Sequence, residues 1–320
     1  MKFLLLFLCS LLFSYEDEEL RRLWASIPDI TRPTFEDFRQ IETYLSQGER
    51  LYLDILRTQA YRVDANTRRR LLNMLNFKFV GPNGEMPIFE IHHLNPSPQT
   101  SRRCILLFGS YNGIYEKKVR KVLQELKEAD YSGDVLMRIG GFPNLENGSL
   151  KISYVPYSFK VAFLQEAKNK GYKEVLWIDT CMHPLTNLET IFSKIKRRGY
   201  FFTYAGTLQE NAPNHIPEAA KALDISTNHY PFITHAHSSI IGLSMDNQKA
   251  VEFLDSWYAE TENLFPNVNW FPEELSLSVV AWRLGLKADC WFGMVVCGDN
   301  ELGFLKDTRP TLQFYCENVR

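Results

Sequence analysis

The acid at position 179 is the residue whose sequence context points most directly to ligand binding. Residues 175–178 form a short, apolar, β-favouring run between polar neighbours, a pattern that predicts a buried strand of an α/β sheet. Ligands of such sheets bind at the carboxyl ends of the strands, which is where Asp179 follows. Its carboxylate can ligate a divalent metal or accept a hydrogen bond from a ribose. The alternative is an acid that caps a loop.

A metal at this strand end needs more than one ligand. Mg²⁺ and Mn²⁺ prefer several hard oxygen ligands, and Cys181, two positions after Asp179, is a poor ligand for them. His183 lies four positions after Asp179 and offers a nitrogen ligand to Mn²⁺ or a softer metal. Asp179 and His183 are therefore one candidate pair of metal ligands.

Two histidines in the segment 234–239 form a second candidate site. His235 and His237 are separated by one residue, so in a strand they share a face. That arrangement is compatible with metal binding or with hydrogen bonds to a ligand. No third histidine or acid has a diagnostic spacing to this pair.

Paired acids occur where a loop is expected to enter a helix. Glu273 and Glu274 follow Pro272, and carboxylates in a first helical turn are stabilised by the helix dipole. A carboxylate at the same position in a cleft can also act as a general base for an acceptor hydroxyl. The two interpretations are compatible with each other.

Several common catalytic motifs are absent from the sequence. It contains no GxGxxG or GxxxxGK[ST] phosphate-binding loop, and no GxSxG or HExxH hydrolase motif. The segment 109–113, which includes Ser110, is a strand-to-helix turn that can approach a nucleotide or can be a plain tight turn. The formal net charge of −2 gives no reason to expect a nucleic acid partner.

The first residues predict a leader. One lysine precedes an apolar run of about eleven residues, well short of the ~20 that span a bilayer. We interpret residues 1–14 as a signal peptide and expect a protein of the secretory lumen or an exported one. An uncleaved segment that acts as a weak anchor is the alternative, and no other transmembrane helix is expected.

The rest of the chain divides into two predicted regions. Residues 15–100 predict helices followed by a β-hairpin with its turn at 81–84, and they end in a polar, proline-containing linker. Residues 101–320 alternate strands with helices of 10–15 residues, which indicates βαβ units. We expect an α/β fold in which a mostly parallel, Rossmann-like central sheet is flanked by helices.

With these residues in order, the segment from about 104 to 288 resembles the nucleotide-diphospho-sugar glycosyltransferases of the GT-A fold. The segment 157–160, Tyr-Ser-Phe-Lys, is followed by a helical segment and then by the strand that ends in Asp179. Those enzymes typically carry an Asp-x-Asp motif at this point, and here Asp179-Thr180-Cys181 keeps only its first acid. The segment 238–247 is similar to the acceptor-side strand of the family.

The resemblance implies transfer of a sugar from a nucleotide-diphosphate donor to a hydroxyl of a glycan, protein or lipid. It implies that Asp179 holds the metal or the donor ribose, that Lys160 or Arg138 meets the diphosphate, and that Glu273 or Glu274 accepts the proton. It also implies that Ser110 lies on the donor side and that His235, His237 and Ser238 lie on the acceptor side. Mn²⁺ or Mg²⁺ is the implied cofactor, and Lys and Arg can replace it.

Two alternatives stay open at this point. The incomplete motif is also compatible with a catalytically inactive, exported binding protein of the same fold. A metal-dependent hydrolase that uses His235, His237 and Asp179 is a third possibility.

Overall fold

The computed structural model describes residues 80–111, 114–143, 157–211, 217–262 and 272–290, together with 36, 39, 40, 42, 43, 152, 155, 295–297 and 305–307. The strands of these parts are β1 Ile88–Leu94, β2 Arg103–Gly109, β3 Gly133–Ile139, β4 Glu174–Ile178, β5 Met182–Pro184, β6 Tyr200–Thr207, β7 Thr234–Ser244, β8 Asp289–Cys290, β9 Val295–Cys297 and β10 Leu305–Asp307. The helices are α1 Tyr115–Glu128, α2 Phe159–Asn169, α3 Glu189–Arg198, α4 Pro217–Ala222, α5 Gln248–Glu262 and α6 Pro272–Arg283. A 3-10 turn covers Tyr230–Phe232.

A mixed sheet forms the centre of the described chain, with the strand order β1-β3-β2-β4-β7-β6-β8. Strands β3, β2 and β4 are mutually parallel, and β8 is parallel to β6. Strand β7 is antiparallel to both β4 and β6, and β1 is antiparallel to β3. Five of these strands therefore point one way and β1 and β7 point the other. The predicted α/β fold with a mostly parallel central sheet is confirmed.

Alternation along β4 assigns its side chains to the two faces of the sheet. Val175 and Trp177 belong to a core shared with α2 and α5, while Leu176 and Ile178 belong to a core shared with α1 and α3. Because both faces are covered by helices, the strand is apolar at consecutive positions, as buried parallel strands are. Asp179, the next residue, has the parity of Trp177 and so belongs to the α2 side.

The segment around residue 88 differs from the prediction. A hairpin was expected over residues 76–94, and the turn is present, with Gly84 N–H bonded to the Gly81 carbonyl at 3.0 Å. Strand β1, however, pairs along its whole length with β3, so it is an edge strand of the central sheet. The sheet therefore begins before the linker at which we placed the boundary between the two regions. Residues 76–79, the other predicted arm, lie outside the described residues.

Most of the N-terminal predictions concern residues that are not described. The predicted signal peptide at 1–14 and nearly all of the region up to residue 79 lie among these residues, so the limits of both regions stay predictions. Among the described residues, none of the helices is both long enough and apolar enough to cross a membrane.

Candidate functional site

Seven polar side chains from four elements meet at the carboxyl end of β4. We call this set the polar cluster: Lys160, Asp179, His235, His237, Ser238, Glu273 and Glu274. Lys160 lies in the first turn of α2, Asp179 follows β4, the histidines and Ser238 lie on β7, and the two glutamates open α6. All seven were candidate site residues in the sequence, and the fold brings them together.

Lys160 is the centre of the cluster. Its Nζ lies 3.1 Å from Asp179 Oδ1 and 2.7 Å from Glu273 Oε1. It also donates to Ser238 Oγ at 2.9 Å and lies 3.3 Å from the Ser238 carbonyl oxygen. A buried cation near a helix N-terminus is unfavourable on its own, because the helix dipole is positive there. The two carboxylates supply the compensating charge.

Ser238 connects Lys160 to both glutamates. Its Oγ donates to Glu273 Oε1 at 2.5 Å and lies 3.2 Å from Glu274 Oε1, while its backbone N–H donates to Glu274 Oε1 at 3.2 Å. The pairing of β6 with β7 shifts register between Phe202 and Thr203, opposite this part of β7. Such irregularities redirect side chains, and here one accompanies the convergence of β7 on the start of α6.

Glu274 lies between the two histidines. His235 Nε2 is 3.2 Å from Glu274 Oε2, and His237 Nδ1 is 3.4 Å from Glu274 Oε1. The predicted shared face of His235 and His237 is thus present, and it faces a carboxylate. This arrangement accounts for the spacing of the histidines without a metal ligand role.

Burial and charge set the protonation of the cluster. Burial raises the pKa of Glu273 above its ordinary value, and the nearby Lys160 offsets only part of that effect. Burial acts on Glu274 in the same direction, but His237 and His235 outweigh it and hold its pKa well below the ordinary value. Burial disfavours the Lys160 ammonium, yet Asp179 and Glu273 raise its pKa overall. Lys160 and Glu274 are thereby held in their charged forms, whereas burial disfavours the charged form of Glu273.

Asp179 is the acid of the cluster that reaches the surface. Its side chain is 21% exposed, whereas those of Lys160, Glu273 and Glu274 are 1%, 6% and 4% exposed. Trp177 Nε1 donates to Asp179 Oδ1 at 2.9 Å, which fixes the carboxylate from behind. Lys160 therefore lies behind Asp179, and a ligand that approaches from solvent meets Asp179 first.

Two tyrosines that were not among the candidate site residues interact with this acid electrostatically. Burial raises the pKa of Tyr115, and Asp179 raises it further; the Tyr115 residue is 44% exposed. The ring of Tyr157 lies with its centroid 5.3 Å from Lys160 Nζ. Tyr157 has a φ of 61°, in the left-handed region that non-glycine residues seldom adopt. The sequence analysis included Tyr157 only as the first residue of the segment 157–160 that carries the resemblance.

Two predicted ligand-binding residues are engaged elsewhere. The guanidinium of Arg138 makes a two-pronged contact with Glu166, at 3.0 and 2.5 Å, and both side chains are buried. His183 Nδ1 lies 2.6 Å from Glu125 Oε2. Ser110 follows β2, which is parallel to β4, and so lies at the same edge of the sheet as Asp179. Arg138 and His183 are thus held away from the polar cluster by partners of their own.

A divalent metal does not fit the pair that the sequence suggested. His183 is bound to Glu125, and the Asp179 carboxylate already contacts the Lys160 ammonium and the Trp177 indole. Among the described residues, no three His, Cys, Asp or Glu side chains are arranged to hold a metal ion.

No family model matches the chain, and no curated protein sequence matches it. Solved structures do: a glycosyltransferase involved in glycosylation of the major capsid of PBCV-1 is 12% identical, with 68% of this chain and 98% of that chain covered and a TM-score of 0.39. Mouse xyloside xylosyltransferase 1 is 9% identical, with 66% and 99% covered and a TM-score of 0.40. The galactosyltransferase LgtC is 8% identical, with 65% and 88% covered and a TM-score of 0.37. The fold assignment rests on the strand order and helix layers described above.

Proposed function

We propose that the protein binds a nucleotide-diphospho-sugar and transfers its sugar to a hydroxyl acceptor. The observation that carries the proposal is the position of Asp179. It is the most exposed acid of the polar cluster, and it stands at the carboxyl end of a central strand, where ligands of α/β sheets bind. The resemblance of residues 157–179 to the donor-binding part of the GT-A enzymes supports the same assignment.

Asp179 has a role that requires no metal. An ionised carboxylate is an acceptor with about four lone-pair sites, and the protein uses part of this capacity through Trp177 and Lys160. The remainder can accept hydrogen bonds from the hydroxyls of a ribose or a sugar. Lys160 reduces the repulsion between this carboxylate and a nearby diphosphate, because it neutralises much of the local negative charge.

The diphosphate needs positive charge from an element other than α2, and we assign the diphosphate-binding role to the first turn of α1. Helix N-termini favour anions because their N–H groups are unpaired and the dipole is positive there. Lys118 Nζ lies 5.8 Å from the ring centroid of Tyr115, the residue whose pKa Asp179 influences. Ser110 precedes this helix on the same side. In this assignment the donor lies across Asp179, Tyr115 and Lys118.

Glu273 and Glu274 take positioning roles in this proposal. Both are buried, and both carboxylates are engaged by Ser238, with Lys160 on one and the histidines on the other. An acceptor hydroxyl does not reach them in this arrangement. They hold Lys160 and β7 in place and thereby fix Asp179.

Titration calorimetry with UDP- and GDP-sugars tests donor binding, and assays of donor hydrolysis and sugar transfer test turnover. We expect Asp179→Ala to weaken donor binding at least about tenfold, the loss of one or two hydrogen bonds to a charged group. Asp246→Ala is the matched control, because Asp246 is an exposed acid paired with Lys173, outside the polar cluster. Absence of nucleotide binding by the wild type, with or without Mn²⁺, would exclude the proposal.

A second candidate function is donor binding without turnover. Burial of Glu273 and Glu274 favours it, because the acids that the resemblance assigns to proton transfer are both engaged within the protein. Donor binding that depends on Asp179, with neither hydrolysis nor transfer to any glycoside, lipid or peptide acceptor, would identify the protein as such a binder.

Because the sequence predicts a leader, we also propose a cellular compartment for the protein. A protein that uses nucleotide sugars and carries a signal peptide suits the lumen of a eukaryotic secretory pathway. Asn147-Gly148-Ser149 is a glycosylation sequon that would be used there. Expression of the full chain in cultured animal cells tests this: we expect a shift in mobility on deglycosylation that Asn147→Gln removes.

A further inference from the structure

We propose that the ammonium of Lys160 is a covalently tethered cation that takes the place of a divalent metal, so that donor binding needs no metal ion. The consequence for donor binding rests on the proposed function, which this inference deepens. Its structural part, an oxygen cage filled by a lysine, stands on the contacts of Lys160 alone.

The surroundings of Lys160 Nζ are those of a hard cation. Five oxygen atoms from three residues lie within 3.3 Å of it: both carboxylate oxygens of Asp179, Glu273 Oε1, and the hydroxyl and carbonyl oxygens of Ser238. Carboxylate, hydroxyl and carbonyl oxygens are the ligands that Mg²⁺ and Ca²⁺ use in proteins. The cage thus has the composition of a metal site.

The distances in the cage correspond to an ammonium and not to a metal. They run from 2.7 to 3.3 Å, whereas Mg²⁺ requires about 2.0–2.1 Å and Ca²⁺ about 2.3–2.6 Å to oxygen. A metal would have to displace Lys160 and contract the cage. The side chain is 1% exposed, so it has no solvent position at hand to move into.

Aromatic rings hold the lysine where it is. Its Nζ lies 5.3 Å from the ring centroid of Tyr157 and 5.8 Å from that of Trp177, distances at which a cation is attracted to the ring. Trp177 also donates to Asp179, so the same indole fixes one wall of the cage. Cation, acid and ring therefore form one preorganised unit.

Binding of Mn²⁺, followed by electron paramagnetic resonance without nucleotide, tests the filled cage directly. The wild type is expected to bind Mn²⁺ no better than Lys168→Ala, which removes a lysine paired with the exposed Asp255. Lys160→Ala empties the cage and leaves two carboxylates, so we expect its Mn²⁺ affinity to rise about tenfold or more. The gain should disappear in Lys160→Ala/Asp179→Asn and be absent in Lys160→Arg.

A second arm uses the wild type and needs no variant to fold. Its affinity for UDP and GDP is expected to be the same within about twofold in EDTA and in Mn²⁺. A tenfold gain in nucleotide affinity on addition of Mn²⁺, or tight Mn²⁺ binding by the wild type alone, would overturn the proposal. So would a folded Lys160→Ala that binds no Mn²⁺. If the wild type binds neither nucleotide, the proposed function fails, while the Mn²⁺ measurements still decide whether Lys160 fills the cage.

Discussion

Lys160 Nζ and Glu273 Oε1 lie 2.7 Å apart, and their side chains are 1% and 6% exposed. They come from the first turns of two helices, α2 and α6, so the ion pair joins elements that are distant in sequence. Removal of one member of a buried pair leaves an uncompensated charge, which typically costs about 3–5 kcal/mol, whereas replacement of both is often neutral.

The first prediction follows from this pair. We expect Lys160→Met to lower the free energy of unfolding by about 3–5 kcal/mol, because Asp179 and Glu273 then lose their shared cation. Addition of Glu273→Leu to that variant should restore part of the loss. Urea denaturation of the wild type, the two single variants and the double variant gives the coupling energy.

Strict additivity of the two substitutions would contradict this prediction, since it would mean that the pair contributes nothing beyond its separate members. Lys168→Met, at an exposed ion pair with Asp255, is the control and should change stability by no more than about 1 kcal/mol.

We expect the ionisation of Glu274 to contribute to the pH dependence of stability. Its pKa in the folded protein lies well below the ordinary value of a glutamate, because His237 and His235 outweigh the effect of burial. A lowered folded pKa contributes stability that is present above the unfolded value and is lost as the pH falls below about 4.5. The titratable groups that face it are His235, His237 and the neighbouring Glu273. We therefore expect Glu274→Gln to reduce the loss of stability on acidification.

Thermal or urea unfolding at a series of pH values between about 3 and 7 measures this effect. Glu128→Gln, on the exposed side of α1, is the matched control and should leave the profile unchanged. Identical acid profiles for Glu274→Gln and the wild type would show that the two histidines do not hold the charge of Glu274.

Much of the fold was predictable because local patterns and tertiary packing agree. The strand at 174–178 and the helices that begin near residues 115, 159 and 189 have the periodicity of the layers in which they lie. The role of β1 was not predictable in this way. A turn at 81–84 favours a hairpin, but pairing with β3 joins residues that are about 40 to 50 positions apart, for which periodicity carries no signal.

The site was predictable as a set of residues but not as a network. Asp179, Glu273, Glu274 and the histidines stand out by type and spacing, because ligands of α/β sheets bind at strand ends and because carboxylates and histidines are the usual acid–base groups. The contacts between these residues could not be predicted, because the sequence does not show that Lys160 lies behind Asp179. Nor does it show that Glu166 binds Arg138 or that Glu125 binds His183, since each of these contacts joins different elements.

Arg138 should be a residue of stability and not of donor binding. Its guanidinium is bound to Glu166 on two atoms, lies 4.2 Å from the ring centroid of Phe89, and is buried. We expect Arg138→Met to lower the free energy of unfolding by about 3–5 kcal/mol and to leave donor affinity, measured at a temperature where the variant is folded, within about twofold. Glu166→Gln should behave in the same way. A selective loss of nucleotide binding in Arg138→Met would contradict this prediction and would indicate that Arg138 binds the donor.

Lys118 is the cation that the proposed function places on the donor diphosphate, and Lys117, its more exposed neighbour in the sequence, provides a matched control. We expect Lys118→Ala to weaken the binding of UDP or GDP about tenfold, the loss of one charge-assisted hydrogen bond to phosphate. Lys117→Ala should have little effect at physiological ionic strength, because exposed charges farther than about 8 Å from a ligand are largely screened. Calorimetry with the diphosphate, the monophosphate and the nucleoside separates the contributions: the effect of Lys118→Ala should vanish for the nucleoside, since it carries no phosphate. An equal loss for all three ligands would assign Lys118 to the structure of the α1 N-terminus, and the diphosphate would then have to lie elsewhere along the edge that Asp179 marks.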